Sequence, residues 1–82
     1  MEMKNNEQIF LKLLYEKQQM TRKEIQAITN LNITSIQYGL TSLRYRNLVV
    51  QSASEKGKTL LYSLTKEGKQ LVTTWRKIED IQ

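Results

Sequence analysis

The stretch from Thr21 to Val49, TRKEIQAITNLNITSIQYGLTSLRYRNLV, followed by Val50, decides how this chain folds. It reads as two short helices joined by a tight turn, the second running straight into a strand. The first of the pair carries a full start signal: Met20 at N′, Thr21 at the N-cap, Glu24 at N3 and Ile25 at N4. Thr21 can accept from the N–H of Glu24, Glu24 can reach back to the N–H of Thr21, and Met20 can pack on Ile25, a capping box with a hydrophobic staple. Ile25 and Ile28 share one face, and the helix stops at Thr29-Asn30. Asn30 can take the left-handed conformation a sharp turn needs, and Asn32 can cap the next helix.

In that second helix Ile33, Ile36, Leu40 and Leu43 recur as a single apolar stripe. Thr34, Tyr38, Thr41 and Tyr45 fall on the opposite side, flanked by Ser35 and Ser42. No acidic residue lies between Asn30 and Ser54. The face offers hydroxyls, the Gln37 amide and, towards its end, Arg44 and Arg46, all suited to base edges and phosphates and none repelling a polyanion. Two readings stand side by side: a solvated face of an ordinary helix, or a surface that reads a nucleic acid.

Working outward, Ile9, Phe10, Leu13 and Leu14 mark one face of an amphipathic helix from about Asn6 to Lys17. Its expected work is to cover the two helices that follow. Gln18-Gln19 then connect into Met20. Arg22 and Lys23 occupy a helical first turn, where the dipole disfavours cations and a docked phosphate would relieve the mismatch; both are candidate DNA-backbone contacts, or simply exposed charge. Gly39, inside a helix, costs roughly 1 kcal/mol against Ala and implies close packing by another helix. Asn47 stands where a helix-terminating residue turns left-handed.

Beyond it, Leu48 to Ala53 and Thr59 to Leu64 read as strands joined by a polar loop whose tip carries Lys56 and Lys58. Those lysines are either solubilising charge or arms that reach a neighbouring backbone. Thr65 can cap a last helix from Lys66 to about Ile81, with Leu71, Trp75 and Ile78 spaced along one side and Val72 beside them. That stripe either packs back on the domain or pairs with the same helix of a second copy. The limited core of so small a chain favours pairing, with Trp75 as an anchor.

Composition narrows the function classes. The 82 residues allow one domain, 1–82, with 66–82 as the candidate dimerisation helix. Without Cys or His there are no disulfides, thiol nucleophiles or zinc–thiolate sites, and the commonest general base is missing. The eight acids are scattered, so no metal site and no cofactor are expected. No apolar run approaches the ~20 residues of a membrane span, and no signal peptide is evident. A soluble, cytoplasmic protein with no membrane partner is therefore expected, and a net charge of +5 suggests an anionic partner. No nucleophile–base pair or phosphate loop points to an enzyme.

Helix, helix, turn, helix, strand, basic hairpin, strand, helix is the order of a winged helix–turn–helix: an α+β, mainly α fold with a three-helix core, a two-stranded β-hairpin wing and a C-terminal helix. Two stretches resemble MarR-like and PadR-like bacterial transcriptional regulators. Leu31-Asn32-Ile33-Thr34-Ser35-Ile36, then Leu43 with Arg46-Asn47-Leu48-Val49, is similar to their recognition helix and following Leu-x-x-x-Gly-Leu-Val run, with Asn47 in place of the usual Gly. Tyr62-Ser63-Leu64-Thr65-Lys66-Glu67-Gly68-Lys69-Gln70-Leu71 is similar to their Tyr-x-Leu-Thr-x-x-Gly-x-x-Leu junction into the last helix. The wing lacks their Asp-x-Arg. The resemblance spans roughly residues 6–75. It implies double-stranded DNA as partner, the helix beginning at Ile33 in the major groove, and Thr34, Ser35, Gln37, Tyr38 and Thr41 facing bases. Arg44 joins that recognition helix, and Lys56 and Lys58 reach the backbone or minor groove from the wing.

The leading expectation is thus a sequence-specific DNA-binding repressor or regulator, acting as a homodimer on an inverted repeat through Leu71, Trp75 and Ile78. Two others share the residues: a winged-helix protein–protein interaction module, which would use the tyrosines as contacts, and a plasmid or phage accessory DNA-binding protein for replication or transfer.

Overall fold

A computed structural model describes residues 5–54, Gly57 and residues 59–81. In chain order it comprises α1 (Asn5–Lys17), α2 (Arg22–Thr29), α3 (Ile33–Tyr45), β1 (Val49–Ala53), β2 (Leu60–Leu64) and α4 (Lys66–Ile81). Four helices and an antiparallel hairpin form the α+β, mainly helical winged helix–turn–helix expected.

The local signals operate as the sequence reads. Thr21 caps α2 by accepting from the N–H of Glu24 at 3.1 Å, and Glu24 Oε1 accepts from the N–H of Thr21 at 2.9 Å, so the capping box is closed in both directions. Asn30 ends α2 at φ 58, and Asn47 turns the chain out of α3 at φ 60. Asn32 caps α3 through the N–H of Ser35 at 2.8 Å. A further left-handed residue, Gln18 at φ 70, ends α1; no Gly or Asn marks that turn in the sequence.

The core gathers Phe10, Leu11, Leu14, Met20, Ile25, Ile36, Leu40, Leu43, Val49, Tyr62, Leu64 and Val72. Gly39 is where α1 reaches α3: a Cβ there would stand 2.9 Å from Phe10 Cδ2, so the ring lies directly on the backbone. The stripes of α1, α2 and α3 differ in detail from their sequence reading. In α1 the buried set is Glu7, Phe10, Leu11 and Leu14, at i, i+3, i+4 and i+7, whereas Ile9 is exposed and Leu13 half-buried. Ile28 and Ile33, flanking the α2–α3 turn, are also exposed, because the turn carries them past the edge of the core. In β2 the inward side is Tyr62 and Leu64, while Leu60 lies out along the hairpin.

The hairpin pairs Val49 with Leu64 at its base and Ala53 with Leu60 near its tip. Ser54 closes the loop by donating its N–H to Thr59 O at 2.8 Å. Met20 does more than staple α2. Its N–H donates to Tyr62 O at 3.1 Å and its carbonyl accepts from Tyr62 N–H at 2.9 Å, so β2 is gripped on its second edge.

At the base of the hairpin Thr65 joins three elements. Its hydroxyl donates to Asn47 O at 2.7 Å and accepts from Gly68 N–H at 3.0 Å, and its own N–H donates to Leu48 O at 3.0 Å. Gly68 sits against the Leu48 carbonyl, where no Cβ fits. On the far side α4 meets α1: Thr73 Oγ1 lies 3.4 Å from the Tyr15 hydroxyl and the Arg76 guanidinium stands 5.2 Å from the Tyr15 ring centroid. The hydrogen bond with Thr73, then the Arg76 charge, hold the Tyr15 phenol below its ordinary value of 10.0, against the opposing effect of burial. No helix among the described residues is long and apolar enough to cross a membrane.

Candidate nucleic-acid interface

One side of α3 belongs to the core through Ile36, Leu40 and Leu43. At about 100° per residue, Thr34, Tyr38, Thr41 and Tyr45 stand on the far side, and all four are exposed. Tyr38 is 74% and Tyr45 89% exposed, which leaves two aromatic rings on bare surface one heptad apart. Neither α1 nor α4 covers them. Gln37 and Arg44, exposed as well, occupy the flank of α3 turned towards α2 and β1. Between α3 and β1 runs a groove of about 530 Å³ lined by Thr41, Arg44, Tyr45, Asn47, Val49, Val50 and Gln51, so the helix face continues onto the hairpin without a break.

The opposite flank is built differently. Ser35 is half-buried, and Ser42 and Arg46 meet α1 there. Glu7, only 3% exposed, accepts from the Ser42 hydroxyl at 3.3 Å and lies 3.4 Å from Arg46 Nη1. Arg46, which the sequence places with Arg44 as a cation of the reading face, is therefore an ion-pair partner of α1. The acid missing from residues 31–53 is supplied from 35 positions away. A signal existed: Glu7 falls on the i, i+3, i+4, i+7 row with Phe10, Leu11 and Leu14, an acid on an apolar stripe that needs a cationic partner.

Arg22 and Lys23 open α2. Lys23 is exposed, whereas Arg22 is half-buried and its Nη1 donates to Gln37 Oε1. No pattern in the sequence announces that bond; it arises because the α2–α3 turn brings the start of one helix beside the second turn of the next. Thus Arg22, Gln37, Tyr38, Thr34, Thr41 and Arg44 form one continuous surface, and Ser35 lies at its margin. Lys56 and Lys58 lie outside the described residues. In α4, Leu71 and Trp75 are half-buried against the core, while Ile78 is 51% exposed.

This surface can donate and accept hydrogen bonds, stack through two aromatic rings, and place three cations, Arg22, Lys23 and Arg44, on its rim. Among the described residues no cluster of three acids suited to holding a metal ion occurs.

No protein-family model matches the chain, and no curated protein matches it. Solved structures do share its architecture. The S. aureus MepR–DNA complex superposes with a TM-score of 0.88 at 20% identity, over 95% of this chain and 65% of MepR. ZitR of Lactococcus lactis, as a mutant in apo form, gives 0.84 at 20% identity, over 92% of this chain and 57% of ZitR. The adhesin competence repressor AdcR of Streptococcus pyogenes gives 0.85 at 16% identity, over 96% of this chain and 58% of AdcR. What is shared at such identities is the fold, and the chain spans less than two thirds of each of these three matched chains.

Proposed function

We propose that this winged helix–turn–helix is a sequence-specific double-stranded DNA-binding protein, a cytoplasmic transcriptional regulator that binds an inverted repeat as a homodimer and represses by blocking polymerase. The observation that carries the reading is the bare side of α3, where Thr34, Gln37, Tyr38, Thr41 and Arg44 stand uncovered beside an open path to the hairpin. The fold-sharing MepR was solved as a complex with DNA, and AdcR is described as a repressor, which supports the same use of the fold here.

In this reading α3 enters the major groove. The hydroxyls of Thr34 and Thr41, with Ser35 at the edge, Gln37 and Tyr38, read base edges. Arg44, Arg22 and Lys23 hold phosphates, and Lys56 and Lys58 extend that grip from the wing. Leu71, Trp75 and Ile78 of α4 form the contact with the second copy. Two-fold symmetry then sets the half-sites about one helical turn, 10–10.5 bp, apart or a multiple of that.

Selection of bound fragments from a random duplex pool, followed by affinity titration of the selected site at several salt concentrations, tests this. The expected result is a palindromic site and a binding constant that falls with salt. Four to eight phosphates neutralised per dimer give a slope of roughly −4 to −7 in log K against log salt. Binding indifferent to salt, or no duplex binding at low salt, rejects the reading and transfers the tyrosine face to a protein partner.

A further inference from the structure

The bond between Arg22 and Gln37 has a chemical consequence for what α3 can read, given the DNA-binding role just proposed. A guanidinium has five N–H donors and no acceptor. The Gln37 atom that meets Arg22 Nη1 is therefore its oxygen, and the structure places Oε1 there. Fixing the oxygen fixes the rest of the planar amide: the NH₂ group is turned away from Arg22. An unconstrained glutamine can present both ends and pairs with adenine, accepting from N6 and donating to N7. Here the accepting end already takes a hydrogen bond from a cation, so an adenine N6 amino group approaching its second lone pair would meet the guanidinium charge, donor against donor.

We infer that Arg22 is a positioning residue that converts Gln37 into a donor-only reader, so that the base opposite Gln37 is guanine, which offers O6 and N7 as acceptors, rather than adenine. Arg22 is held half-buried at the first position of α2, the helix whose start is fixed by the closed Thr21–Glu24 capping box, so the guanidinium is supplied from a rigid element. Lys23, one residue on and exposed, has no such bond to the amide and supplies charge alone.

The test compares the parent chain with Gln37→Ala, Arg22→Ala and Lys23→Ala on the selected duplex and on its single base-pair variants. Gln37→Ala locates the position read, as the one where discrimination collapses. At that position the parent prefers guanine over adenine by about tenfold, the low end of the discrimination that a base-edge contact supplies. Arg22→Ala loses that preference or reverses it to adenine, whereas Lys23→Ala weakens every duplex alike and leaves the preference in place. An adenine preference in the parent, or an Arg22→Ala variant that weakens every duplex yet keeps the parent's preference, overturns the inference while leaving DNA binding intact. A parent that binds no duplex overturns the DNA reading, and this one with it. In the DNA-free chain the side-chain NH₂ resonances of Gln37 should shift on Arg22→Ala; if they stay, the bond is absent in solution and the inference fails whatever DNA does.

Discussion

Removing either end of the Glu7–Arg46 pair should cost stability unequally. Glu7 is 3% exposed and Arg46 29%, and their charged atoms stand 3.4 Å apart. In Arg46→Ala the carboxylate stays inside with, among the described residues, the Ser42 hydroxyl to satisfy it, at 3.3 Å. Breaking a buried pair that way costs about 3–5 kcal/mol. The partial exposure of Arg46 and the separation put this case at the lower end, about 3 kcal/mol. In Glu7→Ala the stranded group is the long, partly exposed arginine, which can swing its head into water, so the cost is about 1–2 kcal/mol. An 82-residue domain has roughly 4–12 kcal/mol in hand, so both variants fold, Arg46→Ala with a much reduced margin. The double variant Glu7→Leu/Arg46→Met removes both charges and should regain most of the loss. Urea denaturation followed by far-UV circular dichroism and Trp75 fluorescence gives the three values. Glu7→Ala costing as much as Arg46→Ala, or a Glu7→Leu/Arg46→Met variant no more stable than Arg46→Ala, would refute the claim that this flank of α3 is held by a buried charge pair.

Other expectations follow from particular contacts. Gly68→Ala drives a methyl into the Leu48 carbonyl, which is already engaged by Thr65 N–H. Overpacking of about 1–3 kcal/mol outweighs the gain of up to ~1 kcal/mol in helix propensity, so a lowered melting temperature is expected and a raised one contradicts the packing. Gln37→Ala should relax base preference at one position of each half-site by roughly 1–3 kcal/mol, whereas Lys58→Ala should weaken all sequences alike and reduce the dimer's salt slope by about 2, one contact from each copy; identical behaviour of the two refutes their separate roles. Trp75→Ala should abolish the dimer and, because the ring leans on the core, also lower stability; sedimentation showing an intact dimer refutes the α4 interface. Tyr15 has a folded pKa depressed below its unfolded value of 10.0. Its contribution to stability is therefore present above that unfolded value and lost as pH falls through the folded one, leaving neutral stability untouched. Spectrophotometric titration should show Tyr15 ionising at lower pH than in the unfolded chain, and Arg76→Ala should move it back up.

Caps and turns were the most readable part of this sequence, because each is decided within about four residues. Thr21 with Glu24, Asn30, Asn32 and Asn47 adopt the geometry their side chains dictate. The open side of α3 was readable for a related reason: Thr34, Tyr38, Thr41 and Tyr45 follow from Ile36, Leu40 and Leu43 by helical period alone. What stayed hidden depends on residues far apart in the chain. Arg22 meets Gln37 across 15 positions and Glu7 meets Ser42 across 35, distances at which no local periodicity operates. The edges of the core were hidden too. Whether Ile9, Ile28 or Ile33 is covered depends on where neighbouring helices end, and an apolar side chain at the rim carries the same letter as one at the centre.

The double hydrogen bond between Met20 and Tyr62 gives the hairpin the mechanics of a cantilever. Its root is held on both edges, by Met20 on one at Tyr62 and by β1 on the other, where Val50 and Ser52 pair with Ser63 and Leu61 on either side of it. Beyond Tyr62 the partner of β2 is β1, over Leu60 and Leu61, about 7 Å of strand at 3.3–3.4 Å per residue, before the loop begins. An arm that short bends little. Sideways force on the hairpin is therefore passed to Met20, the residue that introduces α2.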